Sequence, residues 1–178
     1  MSFKQKHTLS TLCCSVILLF AARVTEAANG EITINGKVYE ASCVVDSGSK
    51  TINLENVNKS VLALAANNSV IGVKQHSISV TGCPTNVTPE FSFDTTDNNI
   101  DDASKGTLKN KATSGASAGV GVKLLNDSGV EINFNSYKVT IAGATQSIPL
   151  RAGYFVKNKN DISSGNVVAS IGYLFTYP

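Results

Sequence analysis

Cysteines are the side chains in this 178-residue chain whose type and spacing point most directly to chemistry. Cys13 and Cys14 lie in an apolar N-terminal stretch, whereas Cys43 and Cys83 lie 40 positions apart in the body of the chain. A separated pair of thiols can form a structural disulfide, hold part of a metal site or supply a reactive nucleophile. A zinc site also needs further nitrogen or sulfur ligands at matched spacing. Which of these roles the cysteines have therefore depends on whether the chain enters an oxidising compartment.

The first 27 residues have the layout of a secretory signal peptide. Lys4 and Lys6 precede a largely apolar run, residues 9–22, and small residues stand before a cut after Ala27. The apolar run is shorter than the roughly 20 residues that a membrane-spanning helix needs. We therefore predict a cleaved signal peptide over residues 1–27, and not a retained membrane anchor.

Export would place the remaining chain, residues 28–178, in an oxidising compartment with two cysteines left. Such a pair is expected to form a disulfide between Cys43 and Cys83, with a metal site and a reactive thiol as the alternatives. Closing a loop of about 40 residues would stabilise the fold by roughly 3–4 kcal/mol.

The charge of the mature chain is balanced. Removal of the signal peptide leaves 12 basic and 12 acidic side chains. A neutral domain lacks the basic surface that binds nucleic acid, and it has no polybasic stretch for an anionic membrane. We expect no nucleic-acid partner.

Other residues suited to chemistry are sparse. His76 is the one histidine of the mature chain, and no Ser–His–Asp set can be argued from spacing because triads are recognised by geometry. Asp97, Asp101 and Asp102 do not follow the ligand spacing of an EF-hand loop, which ends in glutamate. We expect a protein that is not an enzyme, with no catalytic residue, metal or cofactor. A secreted enzyme with a pair of carboxylates stays a further hypothesis.

Short β segments separated by Gly, Asn, Asp and Ser dominate the mature chain, which indicates a sandwich or barrel. The predicted strands are residues 31–39, 51–54, 70–80, 91–93, 119–125, 130–132, 147–156 and 167–177. Residues 61–66 are rich in Leu and Ala and predict one or two helical turns. The polar segment 95–118 is predicted to be the longest exposed loop.

The C-terminal segment has the cleanest pattern. From position 167 onward, each odd position is apolar or aromatic, and the even positions are mixed. Such alternation predicts a strand with one fully buried face. The odd residues are Val167, Ala169, Ile171, Tyr173, Phe175 and Tyr177. No partner strand follows, and the exposed edge of an apolar strand invites pairing with another chain.

An apolar face also begins five residues into the mature chain, with Ile32, Ile34, Gly36 and Val38 at alternate positions. The N-terminal segment is thus expected to be a strand without a partner, and the C-terminal strand is expected to have an unpaired edge. We hypothesise that the N-terminal strand of one copy fills the sheet of the next. Pairing between the two ends of a single chain is the alternative.

Four motifs together resemble the type 1-like fimbrial (pilus) subunits of the chaperone–usher pathway, and the resemblance covers essentially the whole mature chain. The motifs are residues 30–43 leading into the first cysteine, residues 80–83 ending at the second, the strand and turn at 119–129, and a C-terminal segment with Gly165 and a penultimate Tyr177. Pro178 departs from the family pattern, in which a polar last residue is common.

This resemblance implies an all-β fold: an incomplete immunoglobulin-like sandwich, the pilin fold, that lacks its final strand and is completed by donor-strand exchange. Residues 28–40 would be the donor-strand extension, with Ile32, Ile34, Gly36 and Val38 as the inserted positions, and residues 41–178 the pilin domain. The groove that accepts the donor and is recognised by the chaperone would be lined by Gly165, Val167, Ala169, Ile171, Tyr173, Phe175 and Tyr177.

The implied function is that of a structural subunit of a fimbria that supports cell adhesion. The implied partners are other pilus subunits, a periplasmic chaperone and an outer-membrane usher, and the implied route is secretion through the periplasm to the cell-surface fimbria. A single domain favours a shaft or adaptor subunit over a tip adhesin. The alternative is a self-contained secreted β-sandwich that binds carbohydrate, although the chain has no Trp.

Overall fold

The computed structural model describes residues 42–46 and 50–178, which lie in one compact unit, Val38–Pro178. The predicted signal peptide, residues 1–27, and the predicted donor-strand extension, residues 28–40, lie outside the described residues, as do Ile32, Ile34, Gly36 and Val38 within that extension. Within the described part, no helix is long and apolar enough to cross a membrane.

The described chain folds into nine β-strands, one short α-helix and two 3-10 turns. The strands are β1 (Val44–Val45), β2 (Val70–Thr81), β3 (Glu90–Phe93), β4 (Ile100–Asp102), β5 (Thr107–Leu108), β6 (Val120–Asn126), β7 (Lys138–Thr140), β8 (Thr145–Val156) and β9 (Tyr173–Thr176). The helix α1 is Lys59–Leu64, and the turns are Ala103–Lys105 and Lys159–Asp161. The helical turns predicted at residues 61–66 are therefore confirmed.

Two sheets make up the domain, which confirms the all-β prediction. One sheet has six strands in the order β1-β2-β8-β6-β5-β4, and the other has three in the order β7-β3-β9. Every pairing in both sheets is antiparallel.

The period-2 alternation of the long strands creates the main hydrophobic core of the described residues, which lies between the two sheets. Val80 of β2 and Leu150 of β8 are buried on the inner side of the large sheet, and Phe91 and Phe93 are buried on the small one. The rings of Phe91 and Phe93 meet edge to face at a centroid distance of 5.4 Å. Such apolar burial is the main favourable term in folding.

A disulfide joins Cys43 and Cys83, as predicted. It ties the start of β1 to the end of β2, two strands that also pair in the sheet. Both cysteines are buried. Since the two sulfurs are bonded to each other, neither acts as a metal ligand or a free nucleophile.

The prediction that residues 95–118 form one exposed loop is wrong in part. This segment contains β4 and β5, and Thr107 and Leu108 of β5 are almost completely buried against β6. Two- and three-residue strands are too short to produce a recognisable alternation, which explains the error.

The strand predicted at residues 51–54 is not formed, and the one predicted at 167–177 forms a ladder only over Tyr173–Thr176. The odd positions of the latter are half-buried and not fully buried as predicted. Both segments border the same opening in the sandwich.

Candidate functional site: a groove along the open side of the sandwich

An apolar groove of about 1000 Å³ opens between two extended segments, residues 51–57 and 165–173. Its floor consists of core side chains from the inner faces of both sheets. These floor residues are Ile78, Phe91, Phe93, Val122, Leu124, Leu150 and Ala152. Each floor residue is buried, with at most 8% of its surface exposed, so the groove reaches down to the hydrophobic core between its two walls.

The C-terminal segment forms one wall of the groove. Five of the seven residues predicted for an acceptor groove line it: Gly165, Val167, Ala169, Ile171 and Tyr173. The other two, Phe175 and Tyr177, are half-buried against the same core beyond the groove. At the even positions, Val168 and Leu174 are more exposed, at 54% and 51%.

The backbone groups of this wall alternate in the same way. Val168 accepts a hydrogen bond from the N–H of Lys111 at 2.7 Å, and Gly172 accepts one from the N–H of Asp94 at 2.9 Å. Their own N–H groups donate to side chains of the same flanking region. Val168 and Gly172 thus direct their backbone polar groups away from the groove.

In an extended chain, successive residues direct their N–H and C=O groups to opposite sides. The backbone groups of Val167, Ala169 and Ile171 therefore point toward the groove. Among residues 42–46 and 50–178, nothing forms a hydrogen bond with these backbone groups. The wall presents three N–H donors and three C=O acceptors to whatever occupies the groove.

Residues 51–57 form the opposite wall and have a matching pattern. Ile52 and Leu54 are half-buried and pack against the core, whereas Asn53 between them is exposed. Within the described residues, this segment makes no backbone–backbone hydrogen bond. Tyr154 holds it from one side by donating from its hydroxyl to the Glu55 carbonyl at 2.9 Å. Both walls thus have the alternation of strands but no ladder along the groove.

The two ends of the groove differ. At one end, Leu62 of α1 lines the groove beside Gly165 and packs in a small cluster with Val167. We call this end the α1 pole (residues 59–64 and 159–166). At the other end, the Cys43 N–H donates to the Tyr177 hydroxyl at 2.7 Å. We call this end the cysteine pole (residues 42–46, 82–84 and 177).

Gly165 marks the start of the groove wall, and the structure shows why a glycine stands there. Asn166 forms a parallel bridge with Ala116. A Cβ on Gly165 would overlap the backbone of residues 115–117. The family-like glycine near the C-terminus therefore permits a close approach between two backbones.

The acidic residues considered as metal ligands each have a structural partner. Asp97 accepts the Gly172 N–H at 2.9 Å. Asp101 forms an ion pair with Lys157 at 2.8 Å, and Asp102 caps the following 3-10 turn through the Ser104 N–H. The structure does not bring them into one site, and in the described part of the chain no group of His, Cys, Asp and Glu can hold a metal ion.

His76 lies on β2, where its Nε2 is buried without a hydrogen-bond partner among the described residues. Burial, and then the positive charges of Lys74 and Lys50, lower the pKa of His76 below its ordinary value. The neutral imidazole is therefore favoured, and no nucleophile is seen beside it in the described hydrogen-bond network.

Lys123 is a feature that sequence reasoning missed. It is only 6% exposed, its Nζ lies 2.5 Å from Glu131 Oε2, and it sits 5.2 Å from the ring centroid of Phe155. A buried lysine needs such partners because its charge loses hydration. The signal in the sequence that could have identified Lys123 was its position in β6, where the alternation places it on the outer face of the sheet. It lies on the face away from the groove and does not enter the site.

Comparison with known proteins identifies this groove-bearing fold. A family model described as fimbrial protein matches residues 32–177. The chain belongs to the fimbrial protein family. Fimbrial proteins are structural subunits of cell-surface pili, so this chain is a pilus subunit that assembles with other pilus subunits, and the predicted family is confirmed.

Two relatives of this fimbrial subunit match along nearly their whole length. The F17 fimbrial protein of Escherichia coli is 29% identical over 181 residues, covering 91% of this chain and 94% of the relative. The Long polar fimbria protein A of Salmonella typhimurium is 24% identical over 181 residues, covering 99% of each chain.

Solved structures share the fold of this fimbrial subunit. The P pilus rod subunit PapA superimposes with a TM-score of 0.58 at 14% identity, covering 78% of this chain and 99% of PapA. A chain from a chaperone–usher pilus structure gives a TM-score of 0.55 at 16% identity, covering 85% of this chain and 97% of that one. At this level of identity the likeness establishes the fold.

Proposed function

We propose that the groove is the place of an absent strand, and that this fimbrial subunit polymerises by accepting residues 28–40 of the next copy there. The observation that carries the proposal is the alternation of Val167, Ala169 and Ile171. Their side chains line an apolar groove, and their backbone groups point into it without partners in the described chain. Only an added strand satisfies both features at once.

The N-terminal segment has the composition of such a strand. Ile32, Ile34, Gly36 and Val38 alternate with polar residues, so one face is apolar and the other polar. Burial of the three aliphatic side chains would contribute about 5–9 kcal/mol, at roughly 1.5–3 kcal/mol each. The entropy lost by ordering the extension opposes this gain. Gly36 would allow backbone to approach backbone closely.

The positions of the two poles favour one direction for the donor. The donor segment is joined to its own subunit at the cysteine pole, through Cys43. A donor running parallel to residues 167–177 would leave the groove at the cysteine pole of the acceptor, and each subunit would then have to dock two neighbours at that one pole. An antiparallel donor leaves at the α1 pole, so unlike poles meet. Such a head-to-tail contact repeats into a filament, and antiparallel pairing is also slightly more stable.

A groove with partly exposed apolar walls would explain the involvement of a chaperone and an usher. Before a donor arrives, Ile52, Leu54 and Ile171 stay only half-buried along the walls, and partly exposed apolar surface of this kind causes aggregation. After export behind the signal peptide, a periplasmic chaperone would cover the groove with its own strand, and an outer-membrane usher would exchange it for the donor. The resulting fimbria would support cell adhesion, with this chain as a non-enzymatic building block of the shaft or an adaptor.

Amide hydrogen exchange with single-residue resolution tests the proposal. In the subunit without residues 28–37, the N–H groups of Val167, Ala169 and Ile171 should exchange rapidly, and in the polymer they should become protected. The N–H groups of Lys111 and Asp94 serve as internal controls, because they are already bonded to this wall. Equal protection of Val167, Ala169 and Ile171 in both samples would contradict the proposal.

A further inference from the structure

We propose that the exposed apolar face of α1, formed by Val61 and Leu64, binds the cysteine pole of the next subunit. This inference rests on the proposed strand exchange and extends it from the groove to the bodies of the two subunits. The contact would be made by a second copy of this chain.

The α1 helix has two apolar sides. Leu62 is 4% exposed and lines the end of the groove. Leu64 is 88% exposed and Val61 is 47% exposed. Residues three apart lie on the same side of a helix, so these two form one patch, on a different side of α1 from Leu62. Single exposed leucines are common, whereas this pair forms a larger apolar patch at the α1 pole.

The short connection between the donor strand and Cys43 places the next subunit near the α1 pole. Val38, the last alternating donor residue, is five residues before Cys43. Five residues span at most about 18 Å. With an antiparallel donor, Val38 leaves the groove at the α1 pole. Cys43 of the incoming subunit must therefore lie within that distance of the point at the α1 pole where Val38 leaves the groove.

The α1 patch and the cysteine pole present side chains that are compatible with an apolar contact. The cysteine pole carries Val44, which is 41% exposed at the edge of the six-stranded sheet. Its nearest charged residue in sequence, Asp46, is paired with Lys50 at 3.6 Å. The only charge on α1 is Lys59, at the far end of the helix from Leu64. An apolar contact without an unpaired charge can thus form between them.

Site-specific photocrosslinking tests the contact. Leu64 is replaced by p-benzoylphenylalanine in the full mature chain, and the polymer is irradiated, reduced and digested with trypsin. The expected product joins position 64 to the peptide 38–50 of a neighbouring subunit, which is bounded by Lys37 and Lys50. The same replacement at Val130, which is 58% exposed on a distant turn, is the matched control and should not produce this product.

The outcomes separate the two proposals. A polymer that forms but gives crosslinks from position 64 to other peptides, or none between subunits, overturns this inference and leaves the strand exchange standing. The same peptide captured equally from position 130 also overturns it. If the unsubstituted mature chain forms no polymer, the strand exchange fails and this inference fails with it. A folded Leu64 variant that alone fails to polymerise supports the contact.

Discussion

Enlarging Ala169 should block polymer assembly without harming the subunit. Ala169 lies midway along the groove wall, between Val167 and Ile171, and its side chain faces the groove. Ala169→Leu adds three carbons where a donor strand would lie. Inserting methylenes into a well-packed contact costs about 1–3 kcal/mol. At about 1.4 kcal/mol per factor of ten, each junction would weaken by roughly 5- to 150-fold.

The assay is the fraction of subunit in SDS-resistant bands after a fixed time, measured over a series of subunit concentrations. For Ala169→Leu, the half-maximal concentration should rise by roughly 5- to 150-fold. The unfolding free energy of the monomer should stay within about 0.5 kcal/mol of the parent, because the open groove has room for the larger side chain.

Ala142→Leu is the matched control, since Ala142 is exposed and does not line the groove. Its half-maximal concentration should equal that of the parent. The reasoning is refuted if Ala169→Leu assembles like the parent, or if Ala142→Leu is impaired to the same degree.

Three further predictions concern the stability of the subunit. Gly165→Ala should lower the unfolding free energy measured in urea by about 1–3 kcal/mol, because the added Cβ overlaps backbone atoms. The control is Gly143→Ala, which should change the unfolding free energy little because a Cβ there meets nothing closer than 3.9 Å. Equal effects of the two substitutions would contradict the close approach at Gly165. Tyr177→Phe should cost about 0.5–1.5 kcal/mol through loss of the acceptor for the Cys43 N–H, and an unchanged urea midpoint would show that this hydrogen bond has no net value. Because the folded state lowers the pKa of His76, the unfolded chain binds more protons than the folded chain as the pH falls below 6.5, so the unfolding free energy should decline below that pH. His76→Gln should flatten this decline. An identical pH profile for the variant would contradict the assignment of the decline to His76.

The long strands could be read from the sequence because each has one buried face. The alternation around Ile78 and Val80 predicted β2, and the pattern from Ser147 to Val156 predicted β8 with small errors at the ends. The disulfide followed from export and the cysteine count, without geometry. These features depend on periodicity and compartment, which a single sequence contains.

The remaining features depend on neighbours that a sequence does not display. Residues 51–54 and 167–172 have the alternation of strands, yet they form no ladder because no strand in the described chain lies between them. Thr107 and Leu108 lie in a segment that the sequence predicts as a polar loop, because their pairing with β6 joins two separate segments of the chain. The groove itself is a relation between distant segments. Five residues of its C-terminal wall were named from the sequence through family resemblance, whereas the opposite wall, residues 51–57, and the floor were not.

The most direct test of the central claim compares the mature protein with a variant lacking residues 28–37, both purified from periplasm. The measurement is gel electrophoresis in SDS with and without boiling. We predict a ladder of polymers from the full mature chain that collapses on boiling and is missing from the truncated variant. A stable monomer in both samples, obtained without any chaperone, would contradict strand exchange and favour a self-contained binding domain.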